Sequence, residues 1–134
     1  MKVKYEEDIL YENNTEENII KSTLTVMIQH MLKLKYQKDY LYKRSWILTI
    51  KKEQNQLIDV FPKIGKGSLY NSFYMKKFDL DSVYQKALNR AVRETRLPKE
   101  VFPEYCEWTK KELSDLDFIS NFIEEYGYGP NEKD

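Results

Sequence analysis

Ile20, Leu24, Met27, Met31 and Leu34 recur at the three- and four-residue spacing of one helix face, with Ile28 beside them. Just upstream, Asn14-Thr15-Glu16-Glu17 sets a side-chain acceptor three residues before Glu17, the spacing of a capping box. The pattern predicts an amphipathic helix over 15–38. Ile19, Val26 and Leu32 widen its apolar arc beyond one stripe, so this helix is expected to be central and contacted from more than one side.

A second helix is predicted over 40–61, with Asp39 as N-cap. Trp46, Ile47, Ile50, Leu57, Ile58 and Phe61 fall to one side, with Gln54 among them. The run Trp46-Ile47-Leu48-Thr49-Ile50 has strand propensity, but the helical spacing continues for three more turns and decides for helix. Pro62 and Gly65-Lys66-Gly67 break the chain, and Ser68 caps a shorter helix over 68–77. The glycine pair lacks the upstream glycine of a phosphate loop and no strand precedes it, so it reads as a turn. Asp79 or Asp81 opens a further helix to Arg96 in which Leu80, Val83, Tyr84, Ala87, Leu88 and Ala91 share a face, and Pro98 ends it. Thr109-Lys110-Lys111-Glu112 is another capping box, for a helix to about Leu113, and Asp117 to Tyr126 forms the last. The sum is an all-α, irregular bundle of four to five main helices. It divides into a loose acidic arm at 1–13, one helical domain at 14–126 and a flexible tail at 127–134.

Composition narrows the setting. At 134 residues the chain fits one domain. One cysteine excludes an internal disulfide framework and a cysteine-rich zinc site, so Cys106 is read as a reduced thiol, packed and inert, in a cytoplasmic protein. The longest uncharged stretch, Ser22 to Leu32, is too short for a membrane span, and the acidic start argues against a signal peptide. No membrane partner is expected.

Charge changes the picture more. The chain carries 22 basic and 22 acidic groups, yet residues 1–20 sum to −4, residues 21–97 to +10 and residues 98–134 to −6. Either the acidic ends neutralise the basic middle within the molecule, or the middle presents a face to an anionic partner. Lys outnumbers Arg 18 to 4, a bias we attribute to AT-rich coding, which singles out the retained arginines. Lys86, Arg90, Arg93 and Arg96 lie opposite the apolar face of their helix, a stripe able to bind nucleic acid or another anion or to be paired internally.

Four stretches occur together: His30-Met31-Leu32-Lys33-Leu34-Lys35-Tyr36-Gln37; Arg44-Ser45-Trp46 leading into Thr49-Ile50-Lys51-Lys52-Glu53-Gln54; Arg93-Glu94-Thr95; and Phe102-Pro103-Glu104-Tyr105-Cys106-Glu107-Trp108-Thr109. Their order and spacing resemble the bacterial family catalogued as domain of unknown function 29, over about residues 14–118. Against that family the N-terminus looks truncated by most of a helical hairpin, and the stretch from Phe73 to Asp81 is a few residues longer. The resemblance implies an all-α fold and motif positions at His30, Lys33, Gln37, Arg44, Trp46, Glu53, Arg93 and Glu94, with no biochemical role to carry over.

His30, Lys33 and Gln37 line one edge of the central helix. The favoured reading is a half-buried polar cluster that fixes register, bonded to backbone or to a carboxylate. The alternative is an enzyme in which His30 acts as acid or base with Glu53 or Glu94 setting its tautomer. No HExxH, Ser/His/Asp or Cys-His spacing supports nucleophilic or metal chemistry, and neither a metal nor a cofactor is expected. The leading expectation is therefore an interaction protein whose partner is another protein or a second copy of itself, with nucleic acid as the second choice.

Overall fold

The structure is a computed structural model that describes residues 2–38, 41–60 and 79–128, with side chains described for these except 2–17 and 58–60. Helix α1 runs from Lys2–Tyr36 without a break. It therefore starts well before the expected boundary at Thr15, and residues 2–13, expected as a loose arm, are helical. The physical reason is that residues 2–36 contain no glycine or proline, so nothing in the backbone stops a helix there. A capping-box pattern marks a start only where the preceding chain cannot itself be helical.

The second half of α1 is the core. Ile20, Leu24, Met27, Ile28, Met31, Leu32 and Leu34 are all fully buried, and Thr23, Thr25 and Gln29 are buried beside them. Burial on this breadth of arc needs neighbours on two sides, and α1 packs against both α2 (Lys43–Val60) and α3 (Leu80–Thr95). Each such aliphatic side chain removed from water contributes about 1.5–3 kcal/mol, so this segment dominates stability.

In α2, Ile47, Ile50, Gln54 and Leu57 face the core, and Trp46 is half-buried against it. Helical period overrides strand propensity here: a strand would place Ile47 and Ile50 on opposite faces, whereas the helix buries both and turns Leu48 to solvent. Helix α3 opens on Asp79, whose side chain accepts from the Asp81 amide, and closes on Arg96 in the left-handed region at φ 60. Val83, Tyr84, Ala87, Leu88 and Ala91 are its buried face, and the two alanines let it lie close to α1.

A 3-10 turn, Lys99–Val101, leads into the connection from Phe102 to Trp108. The Tyr84 hydroxyl donates to the Pro103 carbonyl and the Gln85 amide to the Glu104 carbonyl, tying this connection to α3. Helix α4 (Lys110–Leu113) has the expected capping box between Thr109 and Glu112. Helix α5 (Leu116–Tyr126) is capped by Asp115 and buries Ile119, Phe122 and Ile123, with Phe122 edge-on to Trp108 at 5.4 Å. Among the described residues there is no strand, so the molecule is an all-α bundle. The helix expected over 68–77, the break at Pro62 and Gly65-Lys66-Gly67, the cap at Asp39, the core position Phe61 and the tail beyond Tyr128 lie outside the described residues, and the side chain of Ile58 is not among those described. None of the described helices is long and apolar enough to cross a membrane.

Candidate functional site

Four of the motif positions meet where α1, α2 and α3 come together. Glu94 follows Ala91 by three residues, so it continues the inward face of α3 past its last buried alanine. Its carboxylate is gripped at both oxygens from α1: the Gln29 amide donates to Oε1 at 2.7 Å and the Lys33 ammonium to Oε2. The Lys33 ammonium also lies over the Trp46 ring of α2, 5.1 Å from its centroid. One lysine thus links three helices through an ion pair and a cation–π contact, the latter worth about 0.5–2 kcal/mol.

His30 stands beside this cluster, half-buried. Its Nδ1 lies 2.8 Å from the Val26 carbonyl. A carbonyl only accepts, so the proton sits on Nδ1 and the neutral ring keeps its lone pair on Nε2. Burial, with the Lys33 charge, holds the imidazole below its ordinary value, against the Val26 bond and the Glu94 charge. The tautomer is set by backbone, one of the two partners expected of a register-fixing histidine, and not by a carboxylate. Glu94 has both oxygens committed elsewhere. Glu53, held above the usual carboxylate range by burial with Lys52 opposing, does not bond His30.

The remaining motif positions are not drawn in. Gln37 caps its own neighbourhood, accepting from the Lys38 amide. Arg44 and Arg93 are exposed. Among the described residues no hydrogen bond or ion pair joins Gln37, Arg44, Glu53 or Arg93 to the Lys33–Glu94 cluster. Gln29, absent from the expected set, sits one turn before Lys33 on the same face. That spacing is the only signal that could have flagged it.

A second cluster pins the end of α1 to the acidic C-terminal part. The Lys35 ammonium and the Tyr36 hydroxyl both donate to Glu107. Lys35 lies 5.3 Å from the Tyr126 ring. Burial opposes the Lys35 charge, but Glu107 more than offsets it and raises the lysine; burial and the same carboxylate push Tyr36 up to about 12. The acidic segment therefore does neutralise part of the basic middle, at Lys35. It does not neutralise the cations of the arginine helix: among the described residues Lys86, Arg90, Arg93 and Arg96 make no ion pair, and all but the half-buried Arg90 are exposed. Asp79, Asp115 and Glu112 are occupied as helix caps. Cys106 donates to the Trp108 carbonyl, and burial pushes its thiol up to about 11, which suits a packed, inert thiol.

Large apolar side chains are exposed around the start of α2: Leu41 is 75% exposed and Tyr42 56%, just before the helix, and Leu48 62% on it. Beside them a cavity of about 450 Å³ opens between α2 and the end of α5, with Ile47, Leu48 and Tyr128 as its apolar lining and Arg44 and Lys51 on the same helix side as Leu48. Lys43 fixes this corner by donating to the Tyr126 carbonyl at 2.9 Å. Gly127 completes it, since a Cβ there would come within 2.8 Å of Ile47 Cδ1. The helical register that sets Ile47, Ile50 and Leu57 to one side leaves Leu48 off that side, as the structure shows.

Among the described residues no group of three or more His, Cys, Asp or Glu side chains could hold a metal ion. In this all-α bundle Gln29 and Lys33 bond α1 to Glu94 of α3, while the buried Thr23 hydroxyl and Gln54 amide nitrogen have no hydrogen-bond partner. Comparison with known families matches residues 6–119 to the family described as Domain of unknown function DUF29, and the chain belongs to it. The match begins eight residues before the coverage expected from about residue 14, within the part of α1 that proved helical. Comparison with curated proteins and with solved structures returned no match.

Proposed function

We propose that this protein is a small helical interaction protein that binds a protein partner through the outer edge of α2. The observation that carries the reading is the exposure of Leu41 and Tyr42, just before α2, and of Leu48 on it, while Ile47, Ile50 and Leu57 on the other side of the helix are buried. Single exposed leucines are ordinary, but three large apolar residues within eight positions, rimmed by Arg44, Lys51 and Lys52, make a patch of the kind that marks an interface. The free, half-buried thiol of Cys106 supports an intracellular setting.

The test compares the wild-type chain with Leu41→Ser plus Leu48→Ser, both exposed sites whose change leaves the core intact. Sedimentation and tagged capture from host extract read the complex. The reading expects a wild-type complex that the double variant loses at unchanged thermal stability. A complex equally strong in both chains overturns it.

A second reading is favoured by one observation, that Lys86, Arg90, Arg93 and Arg96 on and at the end of α3 make no ion pair among the described residues. It is a phosphate-binding stripe for nucleic acid. It predicts binding to single-stranded DNA that falls steeply with salt and weakens in Arg90→Ala plus Arg93→Ala. The acid–base reading of His30 has less support, because no carboxylate orients the ring.

A further inference from the structure

The cavity between α2 and the end of α5 is basic at its open side and apolar beneath. Arg44 and Lys51 both line it, seven residues apart and so on one face of α2, about 10 Å along the helix axis. Ile47 and Leu48 line it between them, and Tyr128 from beyond α5. Arg44, Leu48 and Lys51 are exposed while Ile47 is buried. No carboxylate lines the cavity. Glu53, the one acidic side chain described on α2, follows Lys51 by two positions, about 200° further round the helix, and Glu124 and Glu125 of α5 are exposed without lining it. Among the described residues neither Arg44 nor Lys51 makes an ion pair, while Lys43 is held by the Tyr126 carbonyl. The charge on this corner is therefore of one sign and is not neutralised by the residues that shape it.

We propose that the partner of the α2 edge presents an acidic segment here: a large apolar residue seated against Ile47, Leu48 and Tyr128, with a carboxylate on one side of it reaching Arg44 and another on the other side reaching Lys51. This rests on the reading of α2 as the face that binds a protein and names the chemistry of what binds. Apolar contact supplies the attraction, and the two charge pairs set register and reject basic segments. The Arg44 guanidinium accepts a carboxylate geometrically through two parallel N–H donors, and Lys51 acts as a point charge. A small free anion fits less well, because the cavity is open along Leu48 whereas small-molecule sites bury about 70–90% of their ligand. A nucleic-acid strand also fits less well. It calls for a row of stacking rings, and Tyr128 is the single ring in a lining whose other apolar side chains are aliphatic.

Selection from a displayed library of short random peptides, panned on the full chain, tests this. The peptides retained are expected to carry Asp or Glu on both sides of a large apolar residue. Their synthetic forms should bind the wild-type chain more weakly as salt is added. They should bind Arg44→Glu plus Lys51→Glu about tenfold more weakly, and Leu48→Ser more weakly still. Copies with lysine in place of the acidic residues should reverse the preference and bind the charge-reversed chain better than the wild type. All three positions are exposed, and circular dichroism of each variant checks that it is folded. A library that yields no binder, binders without acidic residues, or acidic binders held equally by the charge-reversed chain each overturn the proposal. So does a single-stranded oligonucleotide that binds through Arg44 and Lys51 where no such peptide does. If uncharged peptides are retained and are lost with Leu48→Ser, the acidic segment falls and the α2 reading stands. If the retained peptides are indifferent to Leu48→Ser and to the charge reversal alike, both fall.

Discussion

Lys33 and Glu94, 61 positions apart in sequence, form an ion pair that is unevenly exposed: the lysine side chain keeps 7% of its surface in contact with solvent, the glutamate 46%. That asymmetry decides which partner can be removed. Glu94→Ala leaves a buried ammonium with only the Trp46 face beside it, and should cost about 2 kcal/mol, less than breaking a fully buried pair. Lys33→Met puts an apolar chain in an apolar slot and frees a carboxylate that can turn to water, so it should cost less. Urea unfolding midpoints at unchanged slope measure both; an equal loss would contradict the asymmetry.

How much of this was legible in the sequence depends on how local the signal was. The Thr109–Glu112 box, the Asp79 cap and the face of α3 are written in adjacent residues and were readable. The Lys33–Glu94 and Gln29–Glu94 contacts were not, because helix spacing gives the face of each residue but not which residue 60 positions away will meet it. The outward position of Leu48 follows from the helical register of Ile47, Ile50 and Leu57, but its exposure beside Leu41 and Tyr42 depends on how the chain enters α2, which spacing alone does not give. The start of α1 at Lys2 is not legible from the cap signal at Thr15, because that signal sits inside a chain with nothing to stop a helix.

His30 provides a pH test with a definite sign. Burial holds its folded-state value below the ordinary 6.5, so the unfolded chain binds the proton more readily. The stabilising contribution of the neutral ring is present above about 6.5 and is lost as pH falls from there toward the folded value. Unfolding free energy should therefore drop between about pH 7.5 and 5.5, and His30→Gln should flatten that slope. An unchanged slope in the variant would assign the pH dependence to other groups.

The thiol of Cys106, pushed up to about 11 by burial, should have on the order of one thiolate in a thousand at pH 8. Alkylation by iodoacetamide should accordingly be slow in the folded chain and rise to the rate of a free cysteine only in urea. Rapid modification of the native protein would show that the thiol is neither buried nor inert.

Gly127 tests how the α2 cavity is built. An added Cβ would meet the Ile123 carbonyl oxygen at 2.5 Å and Ile47 Cδ1 at 2.8 Å, so something must move. Gly127→Ala should cost about 1–3 kcal/mol, the usual range for overpacking. Ile47→Val in that background removes one of the two clashes and should recover part of the loss. If Gly127→Ala is neutral, the end of α5 does not pack on α2 as described.

The claim that the outer edge of α2 is the binding face is tested most directly by oxidative footprinting of side chains, free and in complex. Leu41, Tyr42 and Leu48, well exposed in the free chain, should lose most of their reactivity in the complex, while exposed Arg93 and Arg96 on α3 stay unprotected. Unchanged reactivity at all three α2 residues in a chain demonstrably bound to its partner would contradict the account.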